Sequence, residues 1–205
     1  MRNYVVGISG THGTGKSFLS RHLEPYMAVD RTQLSRTAQK ELGWDTLSRT
    51  EESEENVWAL QNAILDAMIK RDAALNNLGQ HLDKPIIAER TPADLYAYTR
   101  MWLVRLSIDP RESQEFKAYH ARLVEAIKAY RRVIMIFPHE SIPFVAEPNR
   151  ADEKSRQYVN DEIISFLVSG NAISNITTMV FQHNIDDRVN AVLKALNMRN
   201  TVSIL

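Results

Sequence analysis

Short apolar runs alternate along the chain with longer segments whose apolar residues recur every three or four positions. Residues 3–9, NYVVGIS, form a β-rich apolar run that gives way to glycines. Residues 27–30 predict a short strand ending on Asp30, and residues 85–88 another ending at Glu89 and Arg90. Residues 133–137, VIMIF, are apolar without alternation, as in a strand covered on both faces. Residues 176–181 predict a fifth strand. Helical spacing fills the intervals. KSFLSRHL reads as a helix that stops at Pro25, and residues 32–42 as one that stops at Gly43. Val57, Leu60, Ile64, Met68, Leu75 and Leu78 mark a long helix over 53–78. Pro92 opens a helix over 92–106. Phe116, Tyr119, Leu123 and Ile127 share a face over 113–130. Residues 152–168 and 186–196 complete the helices, and the three prolines of 138–149 mark a loop.

Strands that alternate with helices predict βαβ units and a parallel sheet. The expectation is a three-layer α/β fold: five parallel strands flanked by helices. Ligands of such sheets bind beyond the carboxyl ends of the strands. Residues 10–17, Asp30 and the Glu89–Arg90 pair all stand at such ends, so they should converge on one edge.

Composition narrows the classes. A length of 205 residues fits one domain over 1–205, with a small lid near 139–160. Apolar residues make 44% and charged residues 24%, which excludes a mainly disordered or collagen-like chain. Cysteine is absent, which excludes disulfides and thiolate metal sites. No apolar run approaches the ~18 residues of a membrane helix. The N-terminal apolar run is too short for a secretory signal, so a cytoplasmic location is expected. Lys plus Arg and Asp plus Glu are 25 each, so nothing pulls the chain as a whole onto nucleic acid. Stable nucleic-acid binding is not expected, and a homodimer stays open.

The most specific chemistry lies in Gly10-Thr11-His12-Gly13-Thr14-Gly15-Lys16-Ser17, which satisfies G-x-x-x-x-G-K-[ST]. Glycines let backbone N–H groups turn inward around phosphate oxygens. A helix that starts at Lys16 adds the positive end of its dipole. Lys16 would reach the β- and γ-phosphates, the Ser17 hydroxyl would ligate Mg²⁺, and Phe18 follows directly. A strand before the motif and a helix after it supply the required context. His12 invites an acid/base role, although variable loop positions more often supply backbone alone.

This loop, the length and the Glu89-Arg90 strand end together resemble the nucleoside and nucleotide kinases of the P-loop NTPase fold. Residues 86–98, IIAERTPADLYAY, are similar to the acidic-Arg signature of those kinases. The Pro-x-Asp-x-x-Ala-Tyr continuation looks most like phage deoxynucleoside monophosphate kinases and nicotinamide-riboside-kinase-like domains. The resemblance implies ATP as donor and Mg²⁺ as metal, with Ser17 and Glu89 around the ion. It implies that Arg90 grips the acceptor phosphate or the transferring phosphoryl, and that Asp94 orients Arg90 or serves the helix dipole. Arg150 and Arg156 match lid arginines that close over a triphosphate. Asp30, Arg36 and Gln61 match acceptor-side positions. Trp58, Tyr98 and Trp102 could stack a base or belong to the core. The activity implied first is phosphoryl transfer from ATP to a deoxynucleoside monophosphate, a small-molecule substrate. A nucleoside kinase is the alternative, and a nucleotide-driven ATPase switch is the reading from another class.

Overall fold

Val5–Ser9 is buried at every position and forms β1, the centre of the sheet. The computed structural model describes residues 4–47, 50, 52–82, 84–138, 153–169, 176–182 and 184–198. The other strands are β2 (Ala28–Asp30), β3 (Ile86–Glu89), β4 (Tyr130–Ile136) and β5 (Thr177–Val180). They lie in the order β2-β3-β1-β4-β5, and every pairing is parallel. Seven α-helices are described: α1 (Lys16–Leu23), α2 (Leu34–Leu42), α3 (Glu54–Leu82), α4 (Pro92–Arg105), α5 (Gln114–Ala126), α6 (Glu153–Val168) and α7 (Ile185–Ala195). None of the described helices is long and apolar enough to cross a membrane.

Alternation along the strands builds the three layers. Val5, Val133 and Met135 point to one face, where α3, α4, α5 and α6 pack. Val6, Ile8, Ile134 and Ile136 point to the other, where α1 and α7 pack. Both faces are therefore dry, which is why these strands read as unbroken apolar runs. Each fully buried Leu, Ile or Met contributes about 1.5–3 kcal/mol of transfer free energy.

Local chemistry sets the helix ends near the cleft. Thr91 caps α4: its side chain accepts from Ala93 N, and Asp94 in the first turn accepts from Thr91 N at 2.9 Å. Pro92 stands where a helix needs no N–H donor. Asn184 caps α7 by accepting from Asp186 N and Asp187 N.

Two expectations shift. Tyr130 belongs to β4 and not to the preceding helix, because α5 ends at Ala126 and a 3-10 turn, Ile127–Ala129, leads into the strand. Leu78 is 48% exposed and lies off the apolar stripe of α3. At that height α3 turns Asn76 and Gly79 inward instead. Asn76 Oδ1 accepts from Tyr4 N and Val5 N, its Nδ2 donates to Ala129 O, and Gly79 lies against Tyr4. Asn76 thereby ties the starts of β1 and β4 to α3.

Candidate active site

The glycines of the phosphate loop take backbone angles that other residues avoid. Gly10, Gly13 and Gly15 have φ of 145°, 73° and 81°. A Cβ at Gly10 would lie 2.6 Å from Ile136 O, so loop and strand end approach there as only glycine permits. Gly15 precedes α1 and offers no side-chain cap, which leaves the first N–H groups of the helix open to an anion. Thr11 and Thr14 are buried behind the loop, where Thr14 Oγ1 donates to Thr11 O at 3.0 Å.

Lys16 folds back over its own loop. Its Nζ donates to Gly10 O at 2.7 Å, Thr11 O at 2.5 Å and Thr14 Oγ1 at 3.4 Å. The ammonium thus lies among the atoms that define the loop. Ser17 Oγ donates to Glu89 Oε2 at 2.8 Å, which joins the loop to the end of β3. Arg90 follows with a left-handed backbone, φ 69°. Its Nη1 donates to Asp94 Oδ1 at 3.1 Å and to Gly10 O at 3.3 Å. Burial works against its charge, but Tyr98 and Asp94 outweigh that, so its pKa is raised and it stays a cation.

Asp94 does both things the sequence allowed it. Its carboxylate is buried and accepts from Ser9 Oγ, Gly10 N, Thr91 N, Thr91 Oγ1 and Arg90 Nη1. It caps α4, orients Arg90 and fixes the entrance of the loop.

The result is a cleft of about 240 Å³ lined by His12, Gly13, Gly15, Lys16, Ser17, Phe18, Glu89 and Arg90. The order β2-β3-β1 explains this convergence, because the ends of β1 and β3 are neighbours. Phe18 is 53% exposed and its ring rests on His22. Arg156, on α6, brings its guanidinium within 3.5 Å of where a Gly13 Cβ would stand. Glu153 holds Arg156 at 2.9 Å. Arg150 and most of the expected lid lie outside the described residues.

Acceptor-side residues stand apart from this cleft. Asp30 ends β2 beside β3, and its Oδ1 accepts from Thr32 Oγ1 at 2.7 Å. Arg36 is exposed on α2, midway between the buried Leu34 and Ala38 and so on the other side of the helix. Gln61 is buried in α3, and its backbone carbonyl accepts from Tyr119 OH.

Two arginines that the sequence reading passed over shape the site. Arg71, buried in α3, donates to Glu89 O at 2.9 Å, Arg90 O at 3.2 Å, Tyr130 OH at 3.0 Å and Asp72 Oδ1 at 2.8 Å. Asp30 Oδ2 stands 3.9 Å from it. Burial pushes the Asp72 carboxyl above its ordinary range, while Arg71 pulls the other way. Arg188, buried in α7, donates to Thr14 O at 2.8 Å and Gln182 O at 2.7 Å, which fixes the phosphate loop from the opposite layer. A signal existed for both. Arg71 continues the stripe of Ile64, Met68 and Leu75, and Arg188 lies among Ile185, Val189 and Val192. A charge on a core stripe requires a buried partner.

No family model matches the chain. No curated protein matches it in sequence either. Solved structures do match in fold. NadR protein in complex with NR aligns at a TM-score of 0.63 and 15% identity, over 97% of this chain and 53% of that one. NadR protein in complex with NAD and AMP-PNP aligns at 0.61 and 14%, over 100% and 52%. The chain thus spans about half the length of these neighbours. The likeness bears out the expected fold, a five-stranded parallel sheet flanked by helices in three layers.

Proposed function

We propose that the chain transfers a phosphoryl group from ATP to a nucleoside monophosphate, with a deoxynucleotide as first choice. The observation that carries this reading is one cleft in which Lys16, the Ser17–Glu89 pair and Arg90 meet at the open start of α1. Phosphoryl transfer asks for positioning and charge more than for covalent chemistry. Lys16 supplies charge to the β- and γ-phosphates. Arg90, aimed by Asp94, neutralises the transferring phosphoryl or grips the acceptor phosphate. Arg156 brings a second guanidinium to the loop at Gly13, and the expected role of Arg150, which lies outside the described residues, is the same. Gln61 reads the acceptor base in this scheme. The NadR complexes with NR and with NAD and AMP-PNP support a site for nucleosides and nucleotides.

The Ser17 hydroxyl and Glu89 carboxylate are hard oxygen donors side by side, which fits Mg²⁺ held partly by phosphate and water. Bound there, the ion would neutralise phosphate charge. Ser17→Ala should raise the Mg²⁺ concentration needed for half-maximal binding of a fluorescent ATP analogue. An unchanged titration curve removes Ser17 from the metal.

Asp30 favours a second reading, transfer to a nucleoside. Its Oδ2 is buried, takes part in no hydrogen bond and lies 3.9 Å from Arg71, so it would have to turn outward to accept from a sugar hydroxyl. Arg36 discriminates between the two. If the acceptor is a monophosphate held by Arg36, losing a charge-assisted contact of ~1.5–3 kcal/mol should weaken its use by roughly tenfold or more. ATP affinity should hardly change. Steady-state kinetics on wild type and Arg36→Ala, with one monophosphate and its parent nucleoside, measure this. Wild-type turnover of the nucleoside but not the monophosphate moves the conclusion to the second reading. ADP release that ignores every acceptor moves it to an ATPase switch.

A further inference from the structure

Arg90 leaves its backbone in a left-handed conformation, and its side chain is 36% exposed. A long cation placed this way keeps one aim only if partners hold it on more than one side. Asp94 is one partner, at 3.1 Å. Tyr98 is another: the Arg90 guanidinium carbon lies 5.1 Å from the centre of its ring, within cation–π range. Tyr98 stands four residues after Asp94 on α4, so one face of that helix presents both. The tyrosine is itself fixed at its tip. Its hydroxyl lies 3.3 Å from His12 Nδ1, and Thr11 Oγ1 lies 3.5 Å from the same nitrogen. Either neutral tautomer of His12 satisfies these contacts, because a hydroxyl can donate or accept. His12 belongs to the phosphate loop and lines the cleft.

We propose that Tyr98 is a positioning residue for Arg90, and that His12 ties this position to the phosphate loop. The proposal rests on the reading of the cleft as a phosphate site. It gives a purpose to a loop position that the G-x-x-x-x-G-K-[ST] pattern leaves unspecified. The aim of Arg90 is then set by the loop that receives the donor phosphates, and not by its own strand alone. The ring supplies a face for the guanidinium, and the hydroxyl supplies the register.

A double-mutant cycle tests it, read by calorimetric affinities for ATP and ADP. The proteins are wild type, Tyr98→Leu, Arg90→Met and the double variant. Tyr98→Leu should lower the preference for ATP over ADP by roughly fivefold to tenfold. In the Arg90→Met background the same change should cost nothing further, because the tyrosine acts through the arginine. Tyr98→Phe, which keeps the ring, should retain most of the preference. Equal losses in both backgrounds, as a merely structural tyrosine would give, overturn the proposal. So does a Tyr98→Leu protein that keeps its preference. If Tyr98→Leu does not fold, Tyr98→Met, which also removes the ring, replaces it in the same cycle, where equal losses in both backgrounds again overturn the proposal. A wild type that binds neither nucleotide overturns the phosphate-site reading and this inference together. A wild type that binds ATP but serves no acceptor overturns only the kinase reading, and the binding cycle still decides the role of Tyr98.

Discussion

Lys16→Ala is expected to fold as the parent does and to lose about 10²–10³-fold in turnover, the usual cost of removing one donor aimed at developing charge. The argument starts from where the ammonium lies. It donates to Gly10 O and Thr11 O, two carbonyls of the loop that would cradle phosphate. These are charge–dipole contacts. A polyphosphate offers the same ammonium full negative charge, and charge-assisted bonds are about twice as strong as neutral ones. On the proposed function, Lys16 should exchange its loop partners for phosphate at little cost. Its removal from the empty protein should cost only about 1–2 kcal/mol of stability. Circular dichroism and a thermal melt establish the fold, and single-turnover transfer measures the chemistry. Activity retained within about tenfold, roughly 1.4 kcal/mol of barrier, takes Lys16 out of the reaction.

Arg71→Met should produce the largest loss of stability. The guanidinium is buried and serves Asp72, Tyr130 and the carbonyls of both Glu89 and Arg90. Methionine fills a similar volume but donates nothing. The Asp72 carboxylate is then left in the interior with its cation gone, which typically costs about 3–5 kcal/mol. For a domain of this size that corresponds to a fall in Tm of roughly 6–20 °C. Replacing both partners, Arg71→Met with Asp72→Leu, should recover much of the loss, because the stranded charge disappears with its partner. A single variant that melts within about 3 °C of wild type refutes this account of the network.

Much of the architecture was legible because the fold class writes itself into two periodicities. Strands dry on both faces left unbroken apolar runs, and helices dry on one side left stripes. The phosphate loop was legible because its glycines answer to backbone angles that few other residues adopt. Arg71 and Arg188 were legible only as charges on core stripes, which announces a buried partner without saying which. Besides Asp72 and Tyr130 beside Arg71, their partners are backbone carbonyls of distant segments, and no local pattern marks a carbonyl as waiting for a donor. Asp94 lay between these cases. Its place after Thr91 and Pro92 foretold a cap, but its bonds to Ser9 and Gly10 depend on β1 and β3 lying side by side. The order of strands is a property of pairing, and the helical spacing between strands carries no record of it.

The placing of β1 at the centre of the sheet also has a meaning in time. Val5 pairs with Ile86 on one side and Tyr130 on the other. At about 5–20 residues per second, a ribosome needs roughly 6 to 25 seconds to go from Val5 to Tyr130. Until β3 is made, β1 is an apolar segment with no partner, and until β4 is made it is paired on one side only, while the glycine-rich loop behind it has neither Ile136 to close upon nor Arg188 to hold it. A nascent chain released before β4 should therefore be unable to hold the loop in its folded shape, although all of G-x-x-x-x-G-K-[ST] has been synthesised. It should instead present an apolar strand with an unpaired edge to whatever chaperone meets it. The loop is completed late, first when β4 brings Ile136 and then when the last helix brings Arg188.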